Sequence, residues 1–106
     1  MQQKDYIQRM VEQVAAAIAR VLGFAREARF EEAEHELDAA WSSALGFRRR
    51  DALRLDSASL RAMLGAKAEL AARLLEAQAD LEDARGAGAI AEALRRQSSE
   101  LRQRSQ

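Results

Sequence analysis

The sequence predicts an all-α protein. Alanine occurs 24 times in the 106 residues, and leucine, glutamate and arginine supply much of the remainder. These residues lose little side-chain entropy in a helix, whereas the β-branched residues that favour strands are scarce. The chain also contains no proline, which would interrupt a helix. Together these observations predict a helical content far above the usual third of residues.

Two stripes of apolar residues at helical spacing predict the first two helices, over residues 4–26 and 30–45. The first stripe comprises Ile7, Met10, Val11, Val14, Ile18, Val21, Leu22 and Ala25, and the second comprises Phe30, Ala33, Leu37, Ala40, Trp41 and Ala44. Trp41 and Tyr6 are expected to pack in the core. Gly46 is the expected stop, because glycine adopts the left-handed conformation at no steric cost. Residues 27–29 contain no glycine, so local signals also permit one continuous helix.

The second half of the chain predicts a loop and three further helices. Residues 46–51 form the loop, and a short helix capped by Asp56 or Ser57 runs to Leu64 and ends at Gly65. A helix over 66–79 places Leu70, Leu74 and Ala77 inward. A helix over 81–102 places Ala84, Ala87, Ile90, Leu94 and Leu101 inward. Gly86 and Gly88 within it indicate either a break or a close approach of two helices.

An internal repeat favours a turn at residues 27–29. A shift of 51 residues aligns Ala28-Arg29-Phe30-Glu31-Glu32-Ala33 with Ala79-Asp80-Leu81-Glu82-Asp83-Ala84, and it pairs Phe24 with Leu75 and Ala40 with Ala91. This pattern resembles the tetratricopeptide-repeat family. The turn glycine of that family is alanine in both halves, however, its closing proline is absent, and its period is about 34 residues. The alternative is a generic antiparallel bundle with an alanine-rich composition.

The resemblance implies one domain over residues 1–106, built from two antiparallel helical hairpins at 4–45 and 66–103. A loop and short helix at 46–65 would join the hairpins. The opening Lys4-Asp5-Tyr6-Ile7, followed by Arg9 and Glu12, also resembles a group of small bacterial helical proteins. That second resemblance brings no known activity with it.

The residues for catalysis are largely missing. The chain has no cysteine and one histidine, His35, so most nucleophile and general-base arrangements lack their parts. No glycine-rich phosphate loop is present. The longest apolar run, residues 14–19, is far too short for a membrane span, and no signal peptide is recognisable. We therefore expect a cytoplasmic protein that is not an enzyme and has no cofactor, no small-molecule substrate and no membrane association.

One pair of residues has metal-ligand spacing. Glu32 and His35 stand three residues apart, as in di-iron helical bundles, but such sites need a second pair from another helix. The equivalent positions in the second half are Asp83 and Gly86, so a site would require a dimer. A solvated acidic face is the simpler interpretation.

Charge is unevenly distributed along a neutral chain. Residues 1–45 carry five basic and eight acidic side chains, whereas residues 46–64 carry five basic and two acidic ones. The arginines Arg48, Arg49 and Arg50 are expected to pair with the acidic first segment, within the chain or across a dimer. A nucleic-acid contact is the alternative, although the neutral chain lacks the broad basic surface typical of such proteins.

The sequence thus favours a non-enzymatic protein-interaction or structural module whose partner is another protein or a second copy, as in a homodimer. Two hairpins leave apolar end faces uncovered, because repeat units bury those faces against their neighbours. The expected joining surface is the last helix, with Ile90 and Leu94 next to Gly86 and Gly88. The alternative function is a metal-binding bundle assembled across a dimer through Glu32 and His35.

Overall fold

The computed structural model describes residues 2–103, and over that range the protein is all-α, as predicted. Six α-helices follow one another: α1 (Gln2–Arg26), α2 (Phe30–Ala40), α3 (Arg49–Ala52), α4 (Ser57–Leu64), α5 (Ala68–Ala84) and α6 (Gly88–Arg102). A π-helical segment, Trp41–Leu45, continues α2, and a 3₁₀ turn, Gly65–Lys67, leads into α5. Within these residues, no helix combines the length and apolarity needed to cross a membrane.

A three-residue turn separates α1 from α2. Ala28 has a positive φ of 60°, and the backbone N–H of Arg29 donates to the carbonyl of Phe24 over 2.8 Å. The Arg29 side chain stabilises the turn from outside, because it pairs with Glu27 and Glu32 and places its guanidinium 4.8 Å from the centre of the Phe24 ring. The prediction of two helices is confirmed, and residues 4–45 do not form one helix.

The predicted stop of the second helix at Gly46 and the predicted cap at the start of α4 are confirmed by the backbone geometry. Gly46 lies in the left-handed region at φ 80° and ends the π-helical segment, in which Trp41 is fully buried. Asp56 caps α4, since its carboxylate accepts a hydrogen bond of 2.9 Å from the Ser59 backbone N–H. The short helix α3 lies in the segment predicted as a loop.

The boundary between the last two helices differs from the prediction. The sequence indicated helices over 66–79 and 81–102, but α5 runs without interruption to Ala84 and the turn lies at 85–87. Gly86 has a positive φ of 84°, and the Ala87 N–H donates to the Glu82 carbonyl over 2.8 Å. Gly86 therefore provides the break, because no residue near Asp80 requires the backbone to leave the helix.

The two turns have the same hydrogen-bond pattern. Ala28 and Gly86 occupy the left-handed position, and each following residue, Arg29 and Ala87, bonds back to a carbonyl five residues earlier. The structural correspondence is thus a shift of 58 residues, from Ala28 to Gly86, and the shift of 51 seen in the sequence does not superpose the turns.

The later turn changes which residues face inward. Ala84 and Ile90 are exposed, so these two inward predictions are wrong, whereas Leu94 and Leu101 are buried as expected and Ala87 is half-buried. Tyr6 is also 55% exposed, contrary to its predicted place in the core. The predicted inward residues of α5 (Leu70, Leu74 and Ala77) are all buried.

Helix α5 forms the centre of the fold. It packs most extensively against α6 on one side and α1 on another, and it also contacts α2 and α4. Leu74, Leu75 and Leu81 have no exposed surface, and neither do the small residues Ala71 and Ala79 of the same helix. The alanines allow neighbouring helices to approach closely, while the leucines fill the spaces beside them.

The left-handed turn at Ala28 generates a stability prediction. Replacing Ala28 with glycine should raise the free energy of unfolding by about 1 kcal/mol, because glycine adopts positive φ without steric cost. The matched control is Ala16→Gly at an exposed position inside α1. The control should lower the unfolding free energy by about 1 kcal/mol. Urea titrations of both variants measure the difference, and equal destabilisation would contradict the turn geometry.

Candidate interaction surfaces

The predicted metal candidates do not form a cluster. Both carboxylate oxygens of Glu32 accept hydrogen bonds from Arg29, at 2.7 and 2.5 Å, and His35 is exposed. The Arg29 hydrogen bond lowers the pKa of Glu32. No group of three or more histidine or acidic side chains that could hold a metal ion occurs in the described part of the chain. Glu32 would have to give up Arg29 before it could bind a cation.

The arginine loop is attached to the acidic segment through Arg49. The Arg49 side chain is only 13% exposed, and its guanidinium pairs with Glu34 and donates to Asp38 over 2.9 Å. Glu34 also accepts a hydrogen bond of 2.6 Å from Arg85, in the turn between α5 and α6. One carboxylate therefore connects α2, α3 and that turn. Arg48 and Arg50 line an open groove beside Asp38 and form no ion pair with another described side chain.

The environment of Glu34 shifts its pKa in two opposing ways. Partial burial raises the pKa, whereas the hydrogen bond and charge of Arg49, followed by the charge and hydrogen bond of Arg85, lower it. The net result is a lowered pKa, so the folded protein favours the ionised carboxylate more than the unfolded chain does.

The N-terminal half of α6 presents an uncovered apolar surface. Ile90 is 55% exposed, and its neighbours Ala89 and Ala93 are exposed as well. Gly86 and Gly88 have open space where a Cβ would stand. We call this surface, residues 86–93, the Ile90 face. Leu94 is not part of it, since that side chain is 7% exposed and packs in the core.

The C-terminal half of α6 is covered by α4 and the loop before it. Gln97 donates to the Leu55 carbonyl over 3.5 Å, and Arg61 donates to the Glu100 carbonyl over 2.6 Å. Ser57 donates to the Glu100 carboxylate over 2.5 Å. Because α4 is only eight residues long, this cover ends before it reaches Ile90.

A second uncovered apolar surface lies at the start of α1, where the sequence did not predict one. Tyr6 is 55% exposed and Ile7 is 43% exposed. A groove of about 460 Å³ runs beside Tyr6, between α1 and the π-helical segment, and Arg9, Gln13 and Ser43 line it. We call the exposed residues 5–9 the α1 overhang.

The mismatch in helix length explains this overhang. Helix α1 has 25 residues, whereas α2 and its π-helical continuation together have 16. Helix α2 runs back along α1, and its Glu36 forms an ion pair of 2.7 Å with Arg20. The π-helical segment that follows reaches Gln13 of α1 with Ser43. The first turns of α1 therefore extend beyond the helix that covers the rest of it. In the sequence, the unequal lengths of the first two apolar stripes are the feature that could have indicated this overhang.

The lowered pKa of Glu34 predicts a pH dependence of stability. A carboxylate with a lowered folded-state pKa stabilises the fold above its unfolded pKa of about 4.3, and this contribution is lost as the pH falls through the folded value. Glu34→Gln should lower the unfolding free energy by about 1–2 kcal/mol at pH 7. The difference in unfolding free energy between the variant and the unmodified protein should disappear towards pH 2. Denaturant titrations across this range test it, with the exposed Glu31→Gln as control. A difference in unfolding free energy that did not change with pH would contradict the stabilising role of the Glu34 carboxylate charge.

The comparisons with known proteins leave the function to be inferred from these surfaces. No protein-family model, curated protein or solved structure matches the chain. The resemblance to tetratricopeptide repeats therefore stays a prediction, and in the second half the residues that carry it, Ala79 and 81–84, lie inside α5 and not at the turn.

Proposed function

We propose that the chain is a non-enzymatic protein-interaction or structural module that self-associates, built on two tetratricopeptide-like hairpins. In support, α1 packs against α2 and α5 packs against α6 across turns of the same conformation, with α5 in contact with α1. Such pairs of helices bury their shared faces and leave the outer faces of the end helices for a further unit.

The Ile90 face is the observation that carries this proposal. Large apolar side chains more than two-fifths exposed are few among the described residues: Tyr6, Ile7, Met63 and Ile90. Ile90 and Met63 both have exposed small residues beside them, but Ile90 lies on the 15-residue α6, whereas Met63 lies at the end of the eight-residue α4. A protruding apolar residue within a flat surface of small residues is suited to helix packing.

The distribution of polar groups supports a non-enzymatic role. Two arginines have buried nitrogens without a hydrogen-bond partner, Arg49 Nη1 and Arg61 Nε. They lie at different grooves, one beside α3 and the other beside Gly65. Catalysis requires several polar groups that converge on one reacting position. One groove brings Arg48, Arg49 and Arg50 to Asp38 and the other brings Arg61 and Arg102 to Glu69, and neither is lined by a histidine.

Charge at the Ile90 face should dissociate the assembly. Ile90→Glu should weaken self-association at least about tenfold, since it removes a buried apolar contact and introduces a charge there. The measurement is absolute mass by light scattering over a dilution series, with 11.8 kDa expected for a monomer.

Met63→Glu is the matched control, because it places the same charge on an equally exposed apolar residue of α4. It should leave the mass unchanged. Unfolding titrations of both variants separate dissociation from misfolding. An unmodified protein that stays at 11.8 kDa at every concentration would contradict self-association, and an unchanged mass for Ile90→Glu would place the contact elsewhere.

A further inference from the structure

We infer that the surface which docks on the Ile90 face is the α1 overhang of a second copy, in antiparallel orientation, so that the chain associates head-to-tail. This inference rests on the proposed function, because it names the partner of the Ile90 face. It assigns a role to the two exposed apolar surfaces of the chain that lie at opposite ends of the sequence.

The two surfaces are complementary in volume. The α1 overhang presents the large side chains of Tyr6 and Ile7. The Ile90 face presents one large side chain, Ile90, beside the exposed small residues Ala89 and Ala93. Large residues against small ones fill an interface better than either surface would against its own copy, where large would meet large or small would meet small.

The two surfaces are also complementary in charge. On α1 an aspartate precedes an arginine by four residues, Asp5 and Arg9, and on α6 a glutamate precedes an arginine by the same distance, Glu92 and Arg96. The acid and base of each pair are separated by about 6 Å along the helix axis. Antiparallel helices therefore set Asp5 opposite Arg96 and Arg9 opposite Glu92.

These four charges are available for such contacts. None of them forms an ion pair with another described side chain, although other arginines of the same two helices do. Arg20, further along α1, pairs with Glu36, and Arg95 pairs with Asp80 and Asp83 at 2.8 and 2.7 Å. The charges are also placed consistently around each helix. Asp5 and Arg9 flank Tyr6 in the same spacing as Glu92 and Arg96 flank Ala93, so both charged strips meet at one edge of an antiparallel pair.

The occupied half of α6 indicates what kind of element fits the free half. Helix α4 and the loop before it already bind α6 through Leu55, Ser57 and Arg61. The Ile90 face continues this surface past the end of α4. A helix with an apolar side, such as the α1 overhang, would extend an existing helix–helix contact along the same element.

Mixing two complementary variants tests head-to-tail association directly. Ile7→Glu damages the α1 overhang and keeps the Ile90 face, whereas Ile90→Glu does the reverse. Each variant alone should be monomeric at 11.8 kDa. Their equimolar mixture should form a dimer and nothing larger, because only one intact surface of each kind remains. Both substitutions are at exposed positions, so unfolding titrations should resemble those of the unmodified protein.

The other outcomes separate this inference from the proposed function. If Ile7→Glu assembles like the unmodified protein while Ile90→Glu is monomeric, the Ile90 face binds its own copy; the inference is then wrong and the proposed function stands. If Ile90→Glu still assembles, the inference and the proposed function are both wrong about the Ile90 face. If both variants are monomeric and their mixture is too, the head-to-tail contact is overturned.

A charge exchange provides an independent test. Arg9→Glu should weaken association about two- to fivefold at low salt, and the double variant with Glu92→Arg should recover it, because the exchanged charges face each other across the interface. Glu31→Arg, on the exposed side of α2, is the control second substitution and should give no recovery. Recovery of association with Glu31→Arg, or no recovery with Glu92→Arg, would contradict the contact between Arg9 and Glu92.

Discussion

The burial of α5 is the constraint on which the rest of the structure depends. Leucines and alanines occur around most of this helix, so it has to be covered on several sides at once, by α6, α1, α4 and α2. Because its fully buried alanines, such as Ala71 and Ala79, leave little volume between backbones, α1 and α6 are held close to it. The outer sides of α1 and α6 are consequently the surfaces that the fold leaves free.

Ion pairs hold the parts that this apolar core does not reach. Glu34 joins α2 to Arg49 of the connecting segment and to Arg85 of the last turn, and the Arg85 guanidinium also lies 5.4 Å from the centre of the Phe30 ring. At the far end of α6, the fully buried Ser98 lies 2.9 Å from a carboxylate oxygen of Glu76, which in turn pairs with Arg102. Charged groups thereby fix the orientation of elements whose packing alone would specify it weakly.

The same distribution of apolar and charged residues bears on function. Where helices of unequal length pair, the longer one is left with an uncovered end, and the chain has two such ends, at α1 and at α6. Each end carries exposed apolar side chains. Each also has an acidic residue four positions before an arginine, and neither residue forms an ion pair with another described side chain. Surfaces of this kind gain free energy when a complementary helix removes them from water. Association with a further helix is therefore what we propose for these surfaces.

The sequence by itself determined the all-α class, the end of the second helix at Gly46, a cap for α4 at Asp56 or Ser57 and the burial of Trp41, because propensity, capping and periodicity are local properties. It also indicated the turn at Ala28 through the repeat. Only the tertiary structure decided that α5 continues past Asp80 to the break at Gly86, and that Tyr6 and Ile90 are exposed. Periodicity identifies the apolar side of a helix, but whether a given turn is covered depends on the length and path of the neighbouring helices. The contact between Glu34 and Arg85, 51 residues apart, was likewise outside the reach of any local pattern.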